Sequence, residues 1–195
     1  MGIIGVVCAL TLPAVIQNIQ DRQLRVAWRR QFSLLSNAIV NVKSETCYGN
    51  LSDCFSTRVE IVDALCNNMN CIQKCTKSEE QGCWHKIGDY SSPNGFNTHS
   101  RNDAGFILND GSYWIMNTIF NKACKPADQW TQTAYEGDCF DLFVDVNGKT
   151  KPNVIGRDIF RAVVLKDKII PYGAPPIGTS SCSTWGDGCS YKYLY

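Results

Sequence analysis

GIIGVVCALTLPAVIQNIQDRQLRVAWRRQFSLLSNAIVNV, residues 2–42, is the stretch whose reading decides the fold. It carries no charge before Asp21. Beyond that point apolar residues recur at Leu24, Trp28, Phe32, Leu35, Ile39 and Val42. Steps of three and four put all six on one face of a helix. A helix of about 40 residues is roughly 60 Å long at 1.5 Å per residue. That is about twice the hydrocarbon thickness of a bilayer. The segment reads as one helix in two halves. The greasy first half suits a membrane or filament core, and the amphipathic second half suits the side of a globular domain.

The chain has 195 residues, 44% of them hydrophobic, and a formal net charge of +1. These values fit one globular domain plus the helix. The division is an N-terminal helix, residues 1–43, and a cysteine-rich head, residues 44–195. A near-neutral balance gives no electrostatic reason to expect nucleic acid as a partner. Arg22, Arg25, Arg29 and Arg30 form a local basic cluster beside the apolar run, suited to lipid headgroups, to acidic groups of a neighbouring subunit, or simply to water.

Of 11 cysteines, Cys8 lies in the greasy run. The other ten are Cys47, Cys54, Cys66, Cys71, Cys75, Cys83, Cys124, Cys139, Cys182 and Cys189. An even number in the head points to disulfides and an oxidising compartment. Connectivity does not follow from sequence. Cys182 and Cys189 are the easiest pair to picture, across a short Gly-containing loop, and Cys75 with Cys83 would staple a polar segment. Zinc is the rival reading, but Cys66, Cys71, Cys75 and Cys83 near His85 lack the paired short spacings of a zinc ribbon or finger.

The N-terminus is not an ordinary secretory signal, because no basic region precedes the apolar stretch. Cys8 follows Val6-Val7 rather than a small residue, which disfavours a lipoprotein site. Gln17, Asn18 and Gln20 shorten the apolar part to about 15 residues, below the usual 20 or so for a span. It reads as a transmembrane helix lacking its first turns. The following arginines would face the cytoplasm by the positive-inside rule. The downstream cysteines argue instead that this side is oxidising, and they are the stronger signal.

GIIGVVCALTLPAVIQN resembles the N-terminal segment of type IV pilins and type II secretion pseudopilins. Gly2, Ile3, Ile4, Gly5 and Pro13 carry the match. The family's basic leader, cleavage site and first mature residues, with their glutamate, are not in this sequence, which the resemblance reads as a missing beginning. It implies an assembly helix using Gly2, Ile3, Ile4, Gly5, Val6, Val7, Leu10, Leu12, Pro13, Val15 and Ile16. Gly2 and Gly5 would permit close approach between subunits. Pro13 costs a helix hydrogen bond, and the resemblance implies local melting there on assembly. The implied partners are other pilin or pseudopilin subunits, their machinery, and the inner membrane before assembly. The implied location is a bacterial inner membrane with a periplasmic head, or an extracellular filament.

The head reads as follows. Residues 44–57 are turn-rich. Arg58 to Lys74 suggests a short helix, with Ser56 or Thr57 as cap and Glu60 completing a capping box. Residues 76–105 are polar and read as a long surface loop. Phe106-Ile107-Leu108 and Tyr113-Trp114-Ile115-Met116 flank an Asp110-Gly111 hairpin signal. Residues 139–146 and 158–165 form a second strand pair. Phe140, Leu142 and Val144 alternate with Asp141, Phe143 and Asp145, as in a half-exposed sheet. Residues 169–173 suit an edge strand, since Pro171 is tolerated there. The fold class is α+β: a long helix packed on a small antiparallel sheet. DVNG at 145–148 and GRD at 156–158, with the Asn109-Asp110-Gly111 turn, are similar to the C-terminal signature of cysteine-rich pilin-like proteins.

Site chemistry is sparse. Asp145, Asn147 and Asp158 offer oxygens suited to calcium, but not at EF-hand spacing. Turn chemistry alone explains them and is the favoured reading, so no metal or cofactor is expected beyond that one weak candidate. His85 and His99 both fall in the polar segment, and no catalytic motif accompanies them, so no enzyme is expected. The expected function is a structural subunit of a type II secretion pseudopilus or type IV pilus. A minor pilin or adhesin is the alternative, binding a surface ligand through exposed Tyr90, Trp114, Trp130, Tyr135 and Trp185. A secreted cysteine-rich hydrolase comes last.

Overall fold

A computed structural model of the protein describes residues 2–47, 51–91, 103–120, 138–166, 168–175 and 189–194, with side chains in the first helix described at residue 13 and from residue 15 onward. Helix α1 runs unbroken from Gly2 to Glu45, 44 residues, with Pro13 inside it. The predicted stripe is the docking face. Trp28, Leu35, Ile39 and Val42 are buried, and Leu24 and Phe32 pack against the same core. Polar ties reinforce the contact along this half. Asp21 accepts from Arg157 Nε at 2.9 Å, and Lys43 Nζ donates to the Lys166 carbonyl at 2.6 Å. Gln31, a polar residue on the buried side, donates to Asp110 Oδ2 at 2.7 Å.

The short helix α2, Leu51–Cys54, forms one turn in the segment expected to be irregular. Helix α3, Arg58–Met69, follows. Thr57 Oγ1 accepts the Glu60 amide, and the Glu60 carboxylate accepts the Ser56 amide at 2.7 Å, a capping arrangement displaced by one residue from the usual reciprocal pair. The expected helix to Lys74 is too long. Asn70 adopts the left-handed conformation at φ 54°, which closes the helix, and Cys66–Cys71 bridges the stop. Cys71–Cys75 is then strand β1.

A six-stranded antiparallel meander follows in the order β1-β2-β3-β4-β5-β6. Its members are β1, β2 (Gly105–Leu108), β3 (Tyr113–Phe120), β4 (Asp138–Asp145), β5 (Ile159–Leu165) and β6 (Ile169–Pro171). The Asn109-Asp110-Gly111 turn closes the β2–β3 hairpin, with Asp110 Oδ1 accepting the Ser112 amide and hydroxyl. Pro171 lies on the edge strand, as its missing N–H requires. The α+β class is as expected.

One face of the sheet carries Phe106, Trp114, Phe140, Leu142, Val144 and Phe160 against α1 and α3. The other face departs from expectation. Asp141, Phe143 and Asp145 are fully or almost fully buried, not solvated. Residues 75–91 fold over that face with Trp84 and Tyr90, and the segment around Tyr172 and Cys189 covers its far end. The supposed surface loop is therefore, over its described part, a second layer. It contains the one-turn helix α4, Ser78–Gln81, and a bridge from Ser91 to Val154. Ser78 sits against Gly105 so closely that a Cβ there would lie 2.4 Å from Ser78 Oγ and 2.3 Å from the Trp114 carbonyl. Only glycine lets the layer seat.

Candidate functional site

Cys47–Cys54, Cys66–Cys71 and Cys75–Cys83 are disulfides. Cys139 and Cys189 are disulfide-bonded as well. Cys8, Cys124 and Cys182 lie outside the described side chains, and with them the suggested Cys182–Cys189 pair. Of the assembly-helix candidates, Gly2, Ile3, Ile4, Gly5, Val6, Val7, Leu10 and Leu12 lie on α1, their side chains outside the described set. Pro13, Val15 and Ile16 are exposed. Two of the aromatic residues expected to form an exposed ligand platform are not exposed. Trp114 and Tyr90 are buried in two different clusters, while Trp130, Tyr135, Trp185 and also His99 fall outside the described residues. The basic cluster partly serves the fold. Arg29 Nε donates to the Tyr193 carbonyl at 3.2 Å, and the Arg25 guanidinium lies 5.0 Å from the Tyr193 ring centre.

The calcium candidates already have protein donors. Asp158 Oδ2 and Oδ1 accept the amides of Asn153 at 2.7 Å and Val154 at 2.6 Å, holding the turn that leads into β5. Asp145 Oδ1 accepts the Asn147 amide at 3.1 Å, and Asn147 Nδ2 donates to the Thr150 carbonyl at 2.7 Å. Gly148 at φ 60° completes a turn of the expected kind. Among the described residues no cluster of three or more His, Cys, Asp or Glu side chains is disposed to hold a metal ion.

The most developed polar site was not legible in the sequence. His85, expected in a loose loop, is buried, and its Nε2 lies 2.7 Å from Asp145 Oδ2. Strand β4 directs Asp145 to this face because it alternates with Val144, which faces the helices. The turn after α4 brings His85 to it, with Cys83 tied to Cys75 just before. The rings of Trp84 and Tyr113 stand 5.5 Å from the His85 ring. His85, Trp84 and Tyr113 form part of the wall of a cleft of about 530 Å³, which is also bordered by Glu79, Lys86, Asp89, Lys149, Lys151 and Asn153.

Loss of water pushes the Asp145 carboxyl up to about 6. The His85 hydrogen bond pulls it back and the nearby Asp158 charge adds to the rise. Burial, with the Asp145 charge, also raises Tyr113. A folded carboxyl that holds its proton above the ordinary value of 3.8 stabilises the fold fully below that value, and this contribution is lost as pH rises toward 6. The expected size is about 3 kcal/mol. Urea unfolding at pH 4 and pH 7, on the native chain and on Asp145→Asn, checks it. The native chain should lose more stability than the variant over that range; equal changes would show that Asp145 does not hold a proton in the fold.

Comparisons with protein-family models, with characterised proteins and with solved structures each find no match to this chain.

Proposed function

We propose that this chain is a structural subunit of a pilin-type filament, either a type II secretion pseudopilus or a type IV pilus, working by helix-to-helix assembly. The observation that carries the reading is the uneven use of α1. From Asp21 onward the helix is tied to the head, but Val15, Ile16 and Ile19 remain 52%, 51% and 52% exposed. An apolar helical face that its own domain leaves uncovered gains most by packing on another helix. The disulfides add support, since they persist in oxidising compartments outside the cytoplasm. Among the described residues no helix is long and apolar enough to cross a membrane. Insertion in the inner membrane before assembly therefore rests on the resemblance of residues 2–18 alone.

A photo-crosslinking amino acid at Val15, in the producing bacterium, tests this. The expected product is a ladder of the chain with itself or with subunits of like size, abolished by Ile16→Asp with Ile19→Asp. A monomer alone, unchanged by those substitutions, would overturn the reading.

A further inference from the structure

We infer that the cleft beside His85 is a binding site for a small hydroxylated anion, of the class of sugar acids and sugar phosphates. This goes beyond filament assembly and does not depend on it.

The floor of the cleft sets one half of the specificity. The His85 side chain is 94% buried, from a relative exposure of 6%, and its Nε2 is committed to the wholly buried Asp145 carboxylate. A carboxylate can only accept, so the proton it receives is the one on Nε2, and in the neutral tautomer selected in this way Nδ1 is an acceptor. No hydrogen bond occupies Nδ1 among the described residues, although His85 lines the cleft. An acceptor fixed in this way takes a hydroxyl or N–H from a ligand.

The rim sets the other half. Lys86, Lys149 and Lys151 border the cleft with exposed side chains. Two acidic residues, Glu79 and Asp89, also border it. Glu79 Oε1 already accepts the Ile87 amide at 3.2 Å. With the Asp145 carboxylate under His85 counted, three ammonium groups face three carboxylates, so an oxyanion is favoured at the rim by direct contact with the lysines and not by a net charge. A donor hydroxyl at the floor and an oxyanion at the rim are the two ends of a sugar acid or a sugar phosphate. The volume of about 530 Å³ lies within the range of small-molecule sites.

Nitrogen-15 NMR of the full chain, titrated with glucuronate, glucose 6-phosphate, glucose and inorganic phosphate, tests the inference. Glucuronate or glucose 6-phosphate should move the His85 Nδ1 resonance saturably. Glucose and inorganic phosphate should each bind at least tenfold more weakly, because each lacks one half of the recognition. Lys149→Gln with Lys151→Gln, both on the surface, should weaken the anionic sugar at least tenfold with the disulfides and fold intact. Three results would overturn the inference: no movement of Nδ1 with either anionic sugar, phosphate binding as well as the sugars, or affinity unaffected by the lysine substitutions.

Discussion

Replacing Trp28 by alanine is expected to destabilise the protein by about 3–5 kcal/mol. Trp28 has no exposed surface, although it lies on a helix whose outer face is open to water. Its ring stacks on Phe160 of β5 at 5.0 Å and meets Phe32 edge-on at 5.4 Å. Its indole N–H donates to the Ser190 carbonyl at 3.1 Å, so one side chain joins helix, sheet and C-terminal segment. Truncation would leave a cavity under the helix and a carbonyl without its donor. A loss of that size is a large part of the usual 5–15 kcal/mol of domain stability. Val40→Ala, on the same helix but 64% exposed, should change stability by no more than about 0.5 kcal/mol. Urea unfolding of both variants checks the pair. Amide exchange along residues 21–43 should also rise in the Trp28 variant. A Trp28→Ala cost close to that of Val40→Ala would mean that the helix is held elsewhere.

Asp141→Ala should cost a similar amount, about 3–5 kcal/mol, for a different reason. Asp141 of β4 and Arg161 of β5 are diagonal neighbours, Arg161 standing opposite Phe143 and Asp141 opposite Val163, and one is fully and the other nearly buried. Arg161 Nε donates to Asp141 Oδ2 at 3.0 Å and Nη2 donates to the same oxygen. The guanidinium also lies 4.2 Å from the Tyr172 ring centre. Removing the carboxylate leaves a cation that cannot lose its proton under the C-terminal cover. Replacing both charges, as in Asp141→Leu with Arg161→Met, should recover most of the loss, because neither charge then stays buried without its opposite. Unfolding of the two single variants and the double variant forms the cycle that separates pairing from packing. A double variant as unstable as the sum of the singles would show that the charges act independently.

The long helix, its stripe and the strand pairs were readable because each obeys a period its own residues display. Leu24 to Val42 repeat at three and four, and Phe140 to Asp145 alternate at two. The turn at Asp110-Gly111 is equally local. Burial of the second sheet face was not readable. Its cover, residues 75–91 and the segment around Tyr172 and Cys189, has no period of its own. The partners that make buried acids tolerable also come from elsewhere in the chain. His85 is 60 residues from Asp145, and Arg161 is 20 from Asp141. Asp141 and Asp145 alternating with Phe143 therefore looked like a solvated face, when they are two buried acids with separate basic partners. Gln31 is buried in the same way, and its amide N–H finds its acceptor in the Asp110 turn, 79 residues away across the interface.

The spacing of the three described disulfides bears on how the chain reaches its native state. They join residues 7, 5 and 8 positions apart, all before β2 begins. Short loops close at little entropic cost and keep the two thiols near each other even in an unfolded chain. As the chain emerges from its N-terminus, each of these cysteines meets its correct partner before the distal ones, Cys124 to Cys189, have appeared. Oxidation in order of synthesis thus removes six thiols from competition early. The long-range work of bringing β4 and β5 under the helix proceeds on a chain with fewer ways to pair wrongly.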